Sequence, residues 1–427
     1  MMHTFVSLFK NKETHNRIFF TLAMLLIYRV GAALPVPGVN TETLAQSLAN
    51  NSLLSIMNML GGGALERLSI FAMGVTPYIT ASIIIQLLSM DVIPSLTEMT
   101  KSGQTGRMKI ERITRYLGVV LAFVQAYSLV YGFDKQYRVL TNANLSGYLY
   151  TATVMTAGSM FLIWIGDRIS MKGIGNGLSI IIFAGIVSNM PAAFMQVYQI
   201  LAGGTTQGEL FNGILQFGLY CILYLAIVVF VVIMETAVRK IPIQYTNSSA
   251  ARSGSDITFL PLKINSASVI PVIFAQSIMM APQIVISFIN TDLYNKLSQW
   301  LSLSTPTGLG LYALLTILFT FFYTDLQVDP EKVAENLGKS GAYIPGIRPG
   351  NETKTYLHKV LNRITVLGAI GLTLIAVVPY LLTMFTPLSQ ATAVGGTGII
   401  IVVGVAMETV KQLKGQLTQK QYKGFLR

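Results

Sequence analysis

The residues that could carry acid–base or metal chemistry in this 427-residue chain lie away from the centres of its apolar stretches. All three histidines fall in polar segments, and none of the 18 acidic residues is central to an apolar stretch. Glu235, Asp325 and Glu408 approach such stretches only at their ends. Ion-coupled transporters need an ionisable group at the membrane midplane, and hydrolases need a paired nucleophile and base or a metal. The sequence therefore argues against both classes.

Redox, metal and nucleotide chemistry find equally little support. The single cysteine, Cys221, lies among Leu, Ile and Tyr and is predicted to be a small core residue. The sequence contains no Gly-x-x-x-x-Gly-Lys-[Ser/Thr] segment, so any energy for transport must come from another protein. We expect no catalytic residue, no metal and no cofactor. A secondary transporter and a membrane-embedded enzyme remain the alternatives, and a midplane ionisable site would distinguish the transporter.

The apolar stretches between the polar segments are predicted to be membrane helices. Apolar residues make up 52% of the chain and charged residues 11%. A helix of about 20 apolar residues crosses roughly 30 Å of hydrocarbon, and such stretches recur along the sequence. We therefore predict an all-α integral membrane protein with ten transmembrane helices. The predicted spans are 18–34, 71–90, 115–133, 150–166, 178–200, 213–236, 266–289, 307–324, 361–382 and 394–410.

The basic residues predict the orientation. The chain has a net charge of +12, and 25 of its 30 Lys and Arg fall in segments on the same side of the predicted spans as the N-terminus. Cytoplasmic loops are rich in Lys and Arg, so both termini are predicted to be cytoplasmic. The same balance suits acidic partners such as ribosomal RNA or anionic lipid.

Two long cytoplasmic loops and one external segment stand out. Residues 239–263 contain two short β-prone runs around a Ser- and Gly-rich tip, which predicts a hairpin. Residues 325–363 contain a Gly- and Pro-rich apex. The two loops either dock a cytosolic partner or are simply solvated. The external segment 35–69 is apolar but too interrupted to span, and it is predicted to fold back toward the membrane.

Four segments resemble the SecY family closely. They are IFAMGVTPYITASIIIQLL at 70–88, GIGNGLSIIIFAGI at 173–186, LPLKIN with IPVIFA at 260–265 and 270–275, and AENLGKSGAYIPGIRPG at 334–350. They are long and occur in the same order as in the family. The resemblance implies two pseudo-symmetric five-helix halves, 1–200 and 213–410, with an external hinge at 201–212 and a cytoplasmic tail at 411–427. It also implies a central pore and a lateral gate. The gate is formed where the second and third spans face the seventh and eighth spans.

Particular residues acquire roles through the resemblance. The family closes its channel with an apolar ring, which here falls on Ile79, Ile83, Leu178, Ile182, Ile273 and Ile401. Ile79 and Ile83, like Leu178 and Ile182, are i, i+4 pairs and so face the same way on a helix. Leu178 stands where the family usually has Ile, and Gly398 where it often has Ser. The alternative is that these aliphatic side chains only pack a core.

The resemblance also implies a plug and a docking site. The plug, a short helix blocking the external funnel, is placed at about 57–69. Its predicted residues are Met57, Asn58, Leu60, Gly61, Gly62, Gly63, Leu65 and Arg67. The docking site for a motor or ribosome is centred on Arg348. Its other predicted members are Pro345, Gly346, Arg239 and Lys240.

The implied function is a protein-conducting channel of the bacterial cytoplasmic membrane. It would pass unfolded secretory polypeptides across the bilayer and release membrane proteins sideways into the lipid. The implied partners are the small membrane subunits SecE and SecG, the SecA ATPase, the ribosome and substrates bearing signal sequences. The sequence leaves open whether the chain is a housekeeping channel or an accessory paralogue. It also leaves open the resting state of the gate and the number of copies that work together.

Overall fold

The computed structural model describes residues 12–40, 63–65, 67–89, 92–203, 207–245, 258–289, 297, 300–303, 305–385 and 396–424. Most of these residues are helical. The helices are α1 (Lys12–Ala33), α2 (Thr76–Leu88), α3 (Pro94–Lys101), α4 (Gln104–Tyr137), α5 (Leu145–Lys172), α6 (Gly177–Ala202), α7 (Gln207–Thr236), α8 (Ile270–Ile289), α9 (Pro306–Gln327), α10 (Pro330–Lys339), α11 (Asn351–Phe385) and α12 (Gly396–Gly424). The strands are β1 (Val238–Tyr245), β2 (Thr258–Lys263) and β3 (Ala342–Tyr343).

Membrane-spanning helices account for most of this architecture. Within the described ranges, seven helical segments are long and apolar enough to cross a bilayer. Large apolar side chains point outward along them; Ile222 on α7, for example, is 68% exposed. Such a surface is stable against lipid tails and unfavourable in water. The chain is therefore a multi-pass helical membrane protein.

Three of the ten predicted spans do not appear among those seven segments. The second and seventh predicted spans contain shorter apolar helical segments, at Thr76–Leu88 and Ile270–Met279. The tenth corresponds to the first part of α12, which continues as a helix to Gly424 and so includes most of the predicted tail, 411–427. Because the chain turns at Phe71–Val75, α2 begins later than predicted. Gly74 adopts φ +56° there, and Pro77 occupies the first helical turn, where its missing N–H costs nothing.

The interior is divided into apolar clusters. One joins α1, α5 and α6, and another joins α4 and α5 to Val36, Leu65, Leu68, Ala72 and Met73. A third, which we call the shared cluster, combines α2 and α6 with α7, α8, α9, α11 and α12. The shared cluster includes Ile83 and Ile186 from the first half of the sequence. The two halves of the sequence therefore meet in one apolar core.

A small sheet lies beyond the membrane helices, with strand order β2-β1-β3. β1 pairs antiparallel with β2 from Val238↔Lys263 to Ile243↔Thr258, which confirms the predicted hairpin. β3 pairs with the end of β1 at Gln244↔Tyr343 and joins the two long loops in one sheet. The inward side chains of the sheet pack against α10 and α11 through Ile241, Leu262 and Leu357. The fold is therefore mostly helical and not all-α, and the pairing of β3 with β1 was not predicted.

Candidate functional site

The start of α6 positions two of the six predicted ring residues. Asn176 caps this helix, because its side-chain oxygen accepts from the backbone N–H groups of Leu178 and Ser179. A Cβ at Gly177 would lie 1.9 Å from the backbone oxygen of Gly166 on α5, so only glycine permits this close approach of the two helices. The glycine-rich GIGNGLS sequence thus fixes where α6 begins and how closely it packs on α5, and so it fixes the position of Leu178.

Helix α2 positions the next two ring residues. Ile83 is 6% exposed and belongs to the shared cluster. Ile79, one turn earlier, is half-buried and packs against both the shared cluster and the cluster of α1, α5 and α6. Both side chains of this i, i+4 pair therefore lie on the same side of α2, as their spacing predicts, and both contact the shared cluster.

The structure brings five of the six predicted ring residues to one place. Ile401 on α12 is 3% exposed and lies in the shared cluster with Ile83, while Ile273 on α8 packs against it. Ile182 packs against the shared cluster and also against the cluster of α1, α5 and α6, as Ile79 does. Leu178 packs only against the latter cluster. These five side chains come from four helices, α2, α6, α8 and α12, and we call their contact region the constriction, after the role that the resemblance implies.

One polar contact connects the two halves beside this constriction. The hydroxyl of Tyr323 on α9 donates to Gln86 Oε1 on α2, at 3.4 Å. The Gln86 amide also donates to Ser82 Oγ at 3.3 Å, which holds it against its own helix. Phe274 on α8 packs edge-to-face against Tyr323, with ring centroids 5.6 Å apart. Sequence reasoning missed this pair, although Gln86 is conspicuous as a polar residue between Ile85 and Leu87.

The predicted plug, 57–69, is only partly covered by the structure. Five of its predicted residues lie outside the described ranges: Met57, Asn58, Leu60, Gly61 and Gly62. The described residues 63–65 and 67–70 form turns instead of a helix. Gly63 adopts φ +80°, Leu65 is fully buried and Arg67 is exposed.

The described end of the plug segment is tied to the chain that leaves α1. Val36 N–H donates to the Leu68 carbonyl at 3.0 Å, and Ile70 N–H donates to the Leu34 carbonyl at 3.1 Å. Leu68 is buried in the same cluster as Leu65. Residues 67–70 are therefore part of the fixed frame around the constriction.

Three of the predicted docking residues lie in the exposed turn that follows β3, and the other two lie on β1. Arg348 is exposed in a turn in which Ile347 N–H donates to the Ile344 carbonyl at 3.1 Å. The Arg348 carbonyl accepts from Thr353 Oγ1 at 2.9 Å, which attaches the turn to α11. Pro345 and Gly346 are exposed beside it. The guanidinium is thus presented to solvent on a turn with fixed ends.

The basic residues Arg239 and Lys240 are exposed on β1, opposite Leu262 and Pro261 of β2. The Lys240 ammonium lies 6.0 Å from the centre of the Phe259 ring. They therefore belong to the same layer as β3, which leads into the Arg348 turn. In the part of the chain that the structure describes, no three His, Cys, Asp or Glu side chains gather as metal ligands would.

A multi-pass helical protein whose first and second sequence halves share one buried apolar cluster belongs to the class of polytopic membrane proteins. Residues 69–410 match the family model of SecY. The protein translocase subunit SecY of Staphylococcus aureus (strain NCTC 8325 / PS 47) is 46% identical over 429 residues, which cover 100% of this chain and 99% of that protein. The chain therefore belongs to the SecY family.

Solved structures share the fold. One, described by the statement that the plug domain of the SecY protein stabilises the closed state of the translocation channel and maintains a membrane seal, has a TM-score of 0.66 and 19% identity. It matches 93% of this chain and 91% of that chain. Another, Sec61 in the canine ribosome-channel complex from the endoplasmic reticulum, has a TM-score of 0.62 and 18% identity over the same shares of both chains. The chain is thus a protein-translocase channel subunit by family and by fold.

Proposed function

We propose that the chain is a passive, gated conduit for unfolded polypeptides, built from ten membrane helices in two halves, 1–200 and 213–410, joined by 201–212. The observation that carries this proposal is the shared cluster, in which aliphatic side chains from both halves meet at the constriction. If the halves part, that cluster is the surface that opens. The conduit is a channel and not an enzyme, and its driving energy comes from a partner.

The six aliphatic residues act as the seal. Apolar side chains attract one another without directional bonds, so a constriction made of them can yield to any polypeptide and close again afterwards. A charged or strongly hydrogen-bonding ring would hold some segments of a passing chain and stall it. The shared burial of Ile83 and Ile401 supports this role.

The lateral gate lies between α2 and α4 on one side and α8 and α9 on the other. A signal sequence enters there, the two sides part, and membrane proteins leave through the same opening into the lipid. The Tyr323–Gln86 hydrogen bond supports this assignment, because it joins α9 to α2 across the proposed opening. The plug moves aside during opening.

The partners follow from the exposed layer and from the relatives. The Arg348 turn, with Pro345 and Gly346, and the residues Arg239 and Lys240 of the same sheet dock the SecA ATPase or the ribosome, since a guanidinium on a fixed turn suits carboxylate or phosphate. A relative of the same fold is a ribosome–channel complex, which supports the ribosome. SecE and SecG are the proposed membrane subunits. The relatives are bacterial translocase subunits, and the distribution of Lys and Arg supports our assignment of the chain to the cytoplasmic membrane with both termini inside.

The direct test is to trap a secretory precursor partway through the channel. In a Cys221→Ser chain, a photoreactive residue replaces Ile83 or Ile273, and the stalled precursor is expected to crosslink to both positions. The matched control is Ile222, which faces outward on α7 and is expected to crosslink to lipid only. A precursor that labels Ile222 but neither constriction site would overturn the conduit.

Orientation has its own measurement. A reporter enzyme fused after Lys263 is expected to be cytoplasmic, and one fused after Asn142 is expected to be external. The reverse result would invert the topology inferred from the distribution of Lys and Arg.

A further inference from the structure

A buried polar joint lies where the chain leaves the sheet and enters the membrane helix α8. β2 ends at Lys263 and α8 begins at Ile270, so residues 264–269 connect them. Ile264 N–H donates to the carbonyl of Ala237 at 3.0 Å, directly after the end of α7. The connection is therefore attached to α7 at its first residue and is not a free linker.

A single carboxylate holds the middle of this connection. Glu235, on the last turn of α7, is 7% exposed. Its Oε1 accepts from Asn265 Nδ2 at 2.8 Å and, at a longer 3.5 Å, from Ser268 Oγ. Asn265 is 3% exposed. Removing one partner of a buried, charged hydrogen bond leaves the other unsatisfied, which makes the joint sensitive to single changes.

The backbone at the end of the connection is strained. Ser268 adopts φ +53°, in the left-handed region that side-chain-bearing residues rarely occupy. Strain of this kind persists only where surrounding contacts hold the residue in place. The Glu235 carboxylate and the buried Ala267 and Val269 on either side supply such contacts.

Helix α12 is attached to the same joint. The Lys411 ammonium donates to the Glu235 backbone carbonyl at 3.4 Å. Gly404 of α12 packs against the connection, because a Cβ added at Gly404 would lie 3.1 Å from Val269 Cγ2. Ile401 is about one turn before Gly404, and Ile273 is in the first turn of α8. The joint thus sets the positions of two of the helices that form the constriction.

We propose that Glu235 is a positioning residue that couples the sheet to α8, so that a partner docked on β1 and β2 moves the constriction. This inference rests on the proposed function, since it needs both a docked motor and a gate. A partner that tilts the hairpin acts on residues 264–269, and the hydrogen-bonded joint passes the tilt to α8. Without the carboxylate, residues 264–269 are no longer held to α7 by this hydrogen bond, and the same tilt does not move α8.

The test measures the gate while the motor docks. In a Cys221→Ser chain, Gln86→Cys and Tyr323→Cys place one thiol on α2 and one on α9, and a short bismaleimide reports their separation. The full-length channel is reconstituted in vesicles with its membrane subunits, with and without SecA and a non-hydrolysable ATP analogue. With Glu235 present, docking is expected to change the crosslinking yield by about fivefold or more, the usual size of a coupling between two sites.

Two variants of Glu235 separate coupling from simple stability. Glu235→Ala is expected to lose the docking-dependent change while binding the same amount of SecA, because Arg348 is untouched. Glu235→Gln keeps an oxygen acceptor of the same shape and is expected to retain the change. The matched control is Glu408→Ala on α12, since Glu408 is exposed and bonds to Gln412 on its own helix. A Glu235→Ala chain that responds as Glu408→Ala does would overturn the proposal.

A second variant covers a Glu235→Ala chain that does not accumulate in the membrane. Asn265→Ala removes the principal donor and leaves the carboxylate in place, and it is expected to show the same loss of response. A chain with the two engineered cysteines and an intact Glu235 that docks SecA and exports a precursor, but shows no docking-dependent change in crosslinking, would also overturn the coupling. A wild-type chain that neither docks SecA nor exports would refute the proposed function instead.

Discussion

The constriction and the sheet are held together by different forces. Around Ile83 and Ile401 the contacts are those of aliphatic side chains, which are additive, short-ranged and without direction. In the sheet, β1 is fixed in register with two neighbours by backbone hydrogen bonds. A region of the first kind can be parted and closed without a particular bond having to reform. A region of the second kind keeps its shape under load, as a docking surface must.

The largest effect is expected when a polar group is placed in the constriction. Ile401→Asn buries an amide among aliphatic side chains, at a cost of about 1–3 kcal/mol in the closed state. Each 1.4 kcal/mol of that cost should lower the equilibrium constant for the closed state over the open state about tenfold. Precursors with defective signal sequences are therefore expected to be exported, as measured by their rate of appearance outside the cell.

The control for that variant is Ile399→Asn, two residues earlier on α12. Ile399 is as deeply buried in the same cluster but is not a predicted ring residue. It is expected to lower the amount of folded chain without relaxing substrate selection. Equal export by both variants would mean that Ile401 packs a core and does not seal a pore.

The docking surface is tested by reversing one charge. Arg348→Glu replaces an exposed guanidinium on a fixed turn with a carboxylate, and export driven by SecA is expected to fall about tenfold or more, as for loss of a close charged pair. The amount of chain in the membrane should not change. Lys359→Glu makes the same charge change at an exposed position on α11 and should leave export intact. Normal export by Arg348→Glu would remove the docking assignment.

A smaller effect is expected at the polar contact between α2 and α9. Tyr323→Phe keeps the edge-to-face packing on Phe274 but removes the hydroxyl that donates to Gln86. Loss of one hydrogen bond is worth about 1 kcal/mol, so export of weak-signal precursors should rise a few-fold. In a double-mutant cycle with Gln86→Leu, the two effects should not add. Full additivity would show that the hydrogen bond does not hold the gate.

The smallest effect concerns backbone strain in the connection to α8. Ser268→Gly relieves a left-handed conformation that costs about 1–2 kcal/mol for an L-residue, at the expense of one long hydrogen bond to Glu235. The unfolding midpoint of the detergent-solubilised chain is expected to rise slightly. Ser266→Gly, at a residue with no positive φ, should lower it instead. A lower midpoint for Ser268→Gly would mean that the hydroxyl matters more than the strain.

The sequence predicts local features of this molecule well. The membrane helices follow from apolar length, and the β1–β2 hairpin follows from two short β-prone runs around a polar tip. The common face of Ile79 and Ile83 on α2 follows from their i, i+4 spacing. Each of these depends on residues that are close in the sequence, so the pattern contains the information.

The features that sequence reasoning missed depend on distant residues. Asn265 and Glu235 are 30 residues apart and the Tyr323–Gln86 pair is 237 apart, and no local pattern relates their side chains. The third strand has only two residues and is stabilised by its pairing with β1. The described turns near Leu68 replace the expected helix because their backbone bonds to the chain leaving α1. Predicting these features requires the fold first.

The pairing of β3 with β1 has a consequence for exchanging parts between relatives. Gln244 and Tyr343 are opposite each other in the ladder, and the Tyr343 hydroxyl donates to Gln244 Oε1 at 3.0 Å. The two long loops therefore form one module even though 99 residues separate these partners. In a chimera that receives only the first loop from another species, β1 and β3 would come from different proteins and their side chains would not match. Grafts of partner specificity should transplant both loops together.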